Sequence, residues 1–118
     1  MPEMNNFIQV PFRVDGWNSN ALLKELNEAG FETQITRRHF SAGSTGGDFF
    51  NLALELAPYA FGLLSSVLVA YVTRGKKVKI SFKDGRVTEL ETNYCSVKEV
   101  TKLLESIESV RQIDVSNN

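Results

Sequence analysis

One stretch constrains this chain more than any other: Phe49–Val72, FFNLALELAPYAFGLLSSVLVAYV, its longest apolar run. No charged side chain occurs from Leu56 to Thr73. Gly46-Gly47 and Asp48 precede the run. Asp48 suits a helix start, because its carboxylate accepts from free backbone N–H groups and complements the positive helix pole. Leu52, Ala53, Leu54, Glu55, Leu56 and Ala57 are good helix formers. The expectation is one long helix from near Asp48 to Val72. Pro58 would kink or break it, since proline lacks an N–H and its ring clashes with the carbonyl four residues back. Arg74-Gly75-Lys76-Lys77 would close it, with glycine past the end and cations at the negative pole. A helix apolar on all sides is a covered core element, a membrane-inserting segment or an oligomer interface. The core reading is preferred, because the flanking amphipathic elements need an apolar centre to cover.

Those elements read as follows. Phe7–Val14 alternates, with Ile8, Val10, Phe12 and Val14 on one side, and is a half-buried strand. Pro11 cannot donate to a ladder, which predicts a sheet edge or an irregular pairing. After Asp15-Gly16, Asn18 or Ser19 caps a helix to Ala29 with Leu22, Leu23 and Leu26 as its stripe. Phe31–Phe40 is a second strand, and Ser41–Gly47 is a loop without bulky side chains. Lys77–Lys83 and Arg86–Glu91 flank Asp84-Gly85, a hairpin signal. Val87 keeps phase with Phe82 but Leu90 does not, which predicts a bulge at the turn. Ser96 and Glu99 have capping-box spacing, and Val97, Val100, Leu103, Leu104, Ile107 and Val110 form a helical stripe. Residues 111–118 read as a loose tail, with Ile113 and Val115 able to add a short strand. The order β-α-β-α-β-β-α predicts an α+β domain spanning residues 1–118. Its mixed four-stranded sheet would pack around the long central helix, with the first two strands parallel.

Composition removes several functions. Thirteen basic and fourteen acidic residues nearly cancel, so no global field draws nucleic acid. One cysteine, Cys95, forms no internal disulfide and suits a reducing compartment. The first residues lack a signal-peptide pattern, so the expected location is the cytoplasm. Ser44-Thr45-Gly46-Gly47-Asp48 lacks a P-loop lysine, and Asp48 would repel phosphate. The lone His39 and Cys95 define no metal set, no cofactor is implied, and their pairing as a catalytic couple is a minor alternative.

Two charged groups stand as partner-binding candidates. Arg37, Arg38 and His39, beside Ser44 in the Gly-rich loop, would join Arg74, Lys76, Lys77 and Lys79 in a basic patch. Asp84, Glu89 and Glu91, followed by Glu99, Glu105 and Glu108, would form an acidic face suited to a basic protein partner.

The succession of Gly-rich loop, long apolar helix, Arg74-Gly75-Lys76-Lys77, strand, Asp84-Gly85, strand and helix resembles the effector-associated constant component families of bacterial conflict systems. The likeness spans roughly residues 5–110 and carries no catalytic motif. It implies a small α+β adaptor acting beside an effector. Size and mixed fold are also similar to the class of immunity proteins that neutralise bacterial toxins. The expected function is therefore non-enzymatic binding of another protein, a toxin or an effector. A membrane-associated regulator inserting Pro58–Val72 is the alternative, and self-association remains open.

Overall fold

The computed structural model describes residues 7–15, 18–37, 48–91 and 96–116. Among these residues six strands and three α-helices follow the order β1 (Phe7–Val14), α1 (Ser19–Glu28), β2 (Glu32–Arg37), β3 (Asp48–Glu55), α2 (Pro58–Thr73), β4 (Lys77–Phe82), β5 (Val87–Leu90), α3 (Val97–Leu104) and β6 (Val110–Ser116). The strands form one mixed sheet in the order β2-β3-β1-β6-β4-β5. Only β1 and β6 pair in parallel; the remaining neighbours are antiparallel. The α+β class holds, with six strands in place of the expected four.

The long central helix is not formed. Asp48–Glu55 is a strand, and the helix begins at Pro58. The physical reason lies in the side-chain period. Phe50, Leu52 and Leu54 are buried while Phe49, Asn51, Ala53 and Glu55 are half-buried, an alternation of two that suits a pleated strand. Helix propensity is a weak prior, and this tertiary fit overrides it. Pro58 stands in the first turn of α2, where its missing N–H has no intrahelical partner to lose, so it starts the helix instead of kinking it. At the far end Gly75 adopts φ 91°, Gly75 N–H donates to Val72 O at 3.0 Å, and Lys76 N–H donates to Tyr71 O at 3.0 Å. That double bond is the closure expected for a helix ending in glycine.

β1 and β2 run in the same direction, each antiparallel to β3, but β3 lies between them. Their shared direction is the one expected, with β3 inserted between them. β1 is also an interior strand despite Pro11. Its ladder with β6 covers only Phe12–Val14, so on that side Pro11 precedes the pairing and owes it no donor. The predicted loose tail is likewise an interior strand over Val110–Ser116. β6 pairs with both β1 and β4, with Ile113 opposite Phe12 and Ile80, and Val115 opposite Val14 and Val78. α3 accordingly stops at Leu104, and a short 3-10 turn at Ile107–Ser109 leads into the strand.

All three helices share one face of the sheet. Val10, Phe12, Val14, Phe50, Leu52, Leu54, Val78, Ile80, Ile113 and Val115 form a single core with Leu22, Leu26, Leu64, Leu68, Val100 and Leu104. The rings of Phe12 and Phe50 stack at 5.0 Å in its centre. α2 lies between α1 and α3 in the helical layer. The opposite sheet face carries the polar residues. Glu89, Lys79, Asp114 and Arg13 stand opposite one another across four neighbouring strands, in alternating charge. Cross-strand pairs of this kind each contribute about 0.2–1 kcal/mol.

Candidate functional site

β5 is a four-residue strand at one end of the sheet. The turn before it follows from Asp84-Gly85. Gly85 takes φ 97° and its N–H donates to Phe82 O at 3.0 Å, while Phe82 N–H donates to Arg86 O at 2.8 Å. Gly85 is thus the extra residue of a bulged hairpin, as the phase of Val87 and Leu90 predicts. Asp84 holds the turn: Oδ1 accepts from Arg86 N–H at 3.0 Å and Oδ2 from Arg86 Nε at 2.8 Å. The hydrogen bond from the Arg86 backbone, then the guanidinium, lowers the Asp84 pKa. With that register Leu90 is buried opposite Val78, and Val87 is 58% exposed on the outer face.

α3 is set over this edge by its cap and by α2. Glu99 N–H donates to Ser96 Oγ at 3.2 Å, the predicted cap. Along its length α3 packs chiefly on α2. Since α3 leans on α2, the described residues leave the end of the sheet partly uncovered. A groove of about 590 Å³ opens there between β5 and α3. Phe82, Leu90, Val100 and Leu103 give it apolar walls, Glu91 and Glu99 stand around it, and Glu89, which alternates to the other sheet face, lines it along the strand edge. Two cations, Arg86 and Lys102, also line it. Arg86 is already engaged by Asp84 and lies over the Phe82 ring, 4.7 Å from its centroid.

The acidic candidates therefore come together in part. Glu89 and Glu91 line one groove with Glu99, and Asp84 acts on it through Arg86. Lys83 N–H donates to Ser109 O at 2.8 Å, joining the same turn to the segment after α3. The basic candidates are not assembled among the described residues. Arg37 ends β2, at the opposite edge from β5, and Arg38, His39, Ser44 and Cys95 lie outside the described residues. β2 and β4 are separated by three strands, roughly 19 Å at the usual spacing, so Arg37 stands well away from Lys77 and Lys79. Arg74 is occupied elsewhere, with Nη1 3.0 Å from Glu25 Oε2.

A second concavity of about 580 Å³ lies at the other end, lined by Phe7, Phe31, Ala53, Tyr59, Ala60 and Leu63 among others. Phe7, Tyr59 and Leu63 are all exposed. The Tyr59 hydroxyl donates to Glu55, and this hydrogen bond raises the Tyr59 pKa. Neither concavity was legible from motifs. The groove depends on which strand ends the sheet, and the second basin on which face of α2 is left uncovered. The sequence reading kept Val87 in phase with Phe82; the structure instead turns Val87 outward and buries Leu90, because the bulge at Gly85 sets Leu90 opposite Val78.

Among the described residues no group of three or more His, Cys, Asp or Glu side chains is placed to hold a metal ion, and no helix is long and apolar enough to cross a membrane. Fold and groove together define a two-layer α+β domain with an acid-rimmed sheet edge that no strand among the described residues caps. The chain matches no family model, no curated protein and no solved structure.

Proposed function

We propose that this is a non-enzymatic protein-binding module that engages another protein through the groove between β5 and α3. The observation that carries the reading is the combination of an apolar-walled groove with an acidic rim beside a strand edge that no strand among the described residues pairs with. Apolar walls supply burial, and a rim of one predominant sign selects and steers a basic partner. A toxin or effector with a basic working surface fits that chemistry, in an immunity or adaptor role in the cytoplasm. The resemblance to effector-associated components points the same way.

The test is affinity capture with the full chain and with a Glu91→Lys/Glu99→Lys variant. Both side chains are exposed, so the fold should tolerate the change. A stoichiometric basic partner held by the parent chain, retained by a Glu32→Lys control and lost by the double variant, supports the reading. Equal capture by both chains places binding elsewhere, and the basin around Tyr59 and Leu63 is then the surface to mutate.

A further inference from the structure

The exposed edge of β5 carries more information than the groove alone. Phe82 and Arg86 bond to each other in the ladder, through Phe82 N–H to Arg86 O. In an antiparallel pair the bonded and non-bonded positions alternate. Thr88 and Leu90 therefore direct their backbone groups at β4, and Val87 and Glu89 direct theirs outward. Strand edges of this kind are ordinarily guarded by charged side chains, above all lysine, by proline, by a bulge or by shortness. β2, at the other edge, has a register irregularity between Ile35 and Arg37. β5, Val-Thr-Glu-Leu, has no lysine, proline or bulge within the strand; its guards are its four-residue length and the charge of Glu89, which admit a partner of opposite sign, and no strand among the described residues pairs with its outer side.

We propose that the partner segment binds as an added strand on β5, an extended peptide alternating apolar and basic side chains. This rests on the protein-binding reading above and specifies its mode. Backbone groups of the added strand would meet the outward N–H and C=O of Val87 and Glu89. Side chains on the helix side would enter the groove against Leu90, Val100 and Leu103, and these should be apolar. Side chains on the opposite face would stand beside Val87 and Glu89, and a lysine or arginine there faces an acid. Strand addition of this type obtains affinity from the main chain and specificity from alternate side chains. A second copy of this chain is the wrong occupant. Edge-to-edge pairing of two β5 strands would bring Glu89, Glu91 and Glu99 of both copies together, and like charges at close range oppose association.

The probe is a synthetic ten-residue peptide of alternating valine and lysine, added to the isotope-labelled full chain. Amide shifts and hydrogen exchange are read residue by residue. Strand addition predicts shifts and slowed exchange at the Val87 and Glu89 amides. It also predicts at least tenfold weaker binding when alternate peptide nitrogens are methylated. A valine–glutamate peptide should bind at least tenfold more weakly, and Glu91→Lys/Glu99→Lys should weaken the lysine peptide similarly. Shifts centred away from β5, indifference to backbone methylation, or concentration-dependent pairing of the chain through β5 would overturn the proposal. Its failure separates cleanly from that of the parent reading. If capture of a native partner depends on Glu91 and Glu99 but methylation has no effect, the mode falls and the function stands. If the peptide adds to β5 while capture ignores both glutamates, the function falls and the mode stands.

Discussion

Thr101 Oγ1 lies 3.0 Å from Ser65 Oγ, a polar contact between α3 and α2 in an otherwise apolar seam. Ser65 is fully buried, and its hydroxyl donates to Phe61 O at 2.7 Å. Thr101 Oγ1 is also 2.7 Å from Val97 O. This contact helps fix how α3 sits on α2, and hence the width of the groove beside β5. A buried hydroxyl that loses its partner costs about 1–3 kcal/mol, whereas removal of both partners costs less. Ser65→Ala and Thr101→Val should therefore each destabilise the fold by about 1 kcal/mol, with a coupling of about 0.5–1 kcal/mol in the double variant. Denaturant unfolding of the four proteins measures it. Strict additivity would show that the hydroxyls act independently.

Pro58 gives a prediction of the opposite kind. A proline inside a helix costs about 3 kcal/mol, so replacing it there would stabilise the protein markedly. At the first turn of α2 its fixed backbone angle is already suited to the helix. Pro58→Ala should change unfolding stability by less than about 1 kcal/mol, on the destabilising side. A gain of several kcal/mol would mean that the helix runs through this position.

Ile113 is fully buried and lies in register between Phe12 and Ile80. Truncating a large buried aliphatic side chain to alanine costs about 2–5 kcal/mol. Ile113→Ala should fall within that range by chemical denaturation. A chain ending after Val110 should not fold cooperatively, because β1 and β4 would lose the strand that joins them. A cooperative transition in the truncated chain would return residues 111–116 to the status of a tail.

The contrast between these sites shows what the sequence could reveal. Local chemistry was readable. The Ser96–Glu99 cap, the Asp84-Gly85 bulged turn, the Gly75 helix end and the stripe of α1 formed as their residue types require, and the stripe of α3 formed only over Val100–Leu104, with Val97 exposed and Ile107 and Val110 beyond the helix. Misreadings arose where a residue's role depends on distant partners. Leu52, Ala53 and Leu54 have good helix propensity, yet pairing with β1 on one side and β2 on the other makes them a strand. Val110–Ser116 has only Val110, Ile113 and Val115 as apolar residues, and it is interior because β1 and β4 flank it. The acidic half of the candidate site was visible as Glu89 and Glu91. Its groove was not, because strand order decides which edge stays open.

The Glu25, Tyr71 and Arg74 cluster joins α1 to the end of α2 and sets a dependence on pH. Arg74 bonds Glu25 at 3.0 Å and lies over the Tyr71 ring, 5.1 Å from its centroid. Burial pushes the Glu25 pKa up, but the Arg74 guanidinium hydrogen-bonded to it and the Tyr71 hydroxyl close by outweigh it, leaving the pKa lowered. Burial, then the neighbouring Glu25 carboxylate, raises the Tyr71 pKa, and its hydroxyl makes no well-formed hydrogen bond. A lowered carboxylate contributes stability above its unfolded value, about 4.3, and loses it as the pH falls. A raised phenol favours the folded state below its unfolded value, about 10, and that contribution is lost as the pH climbs further. Melting temperature should therefore decline at both extremes. Glu25→Gln should flatten the acid limb, although Asp84, also lowered, keeps part of it. Tyr71→Phe should flatten the alkaline limb while leaving neutral stability unchanged or slightly higher, since it removes an unsatisfied buried hydroxyl. Tyr59 is raised as well, so the comparison must be made against the parent chain with Tyr59 intact. An unaltered alkaline limb in Tyr71→Phe would assign that limb to other groups and leave the cluster a purely structural clasp.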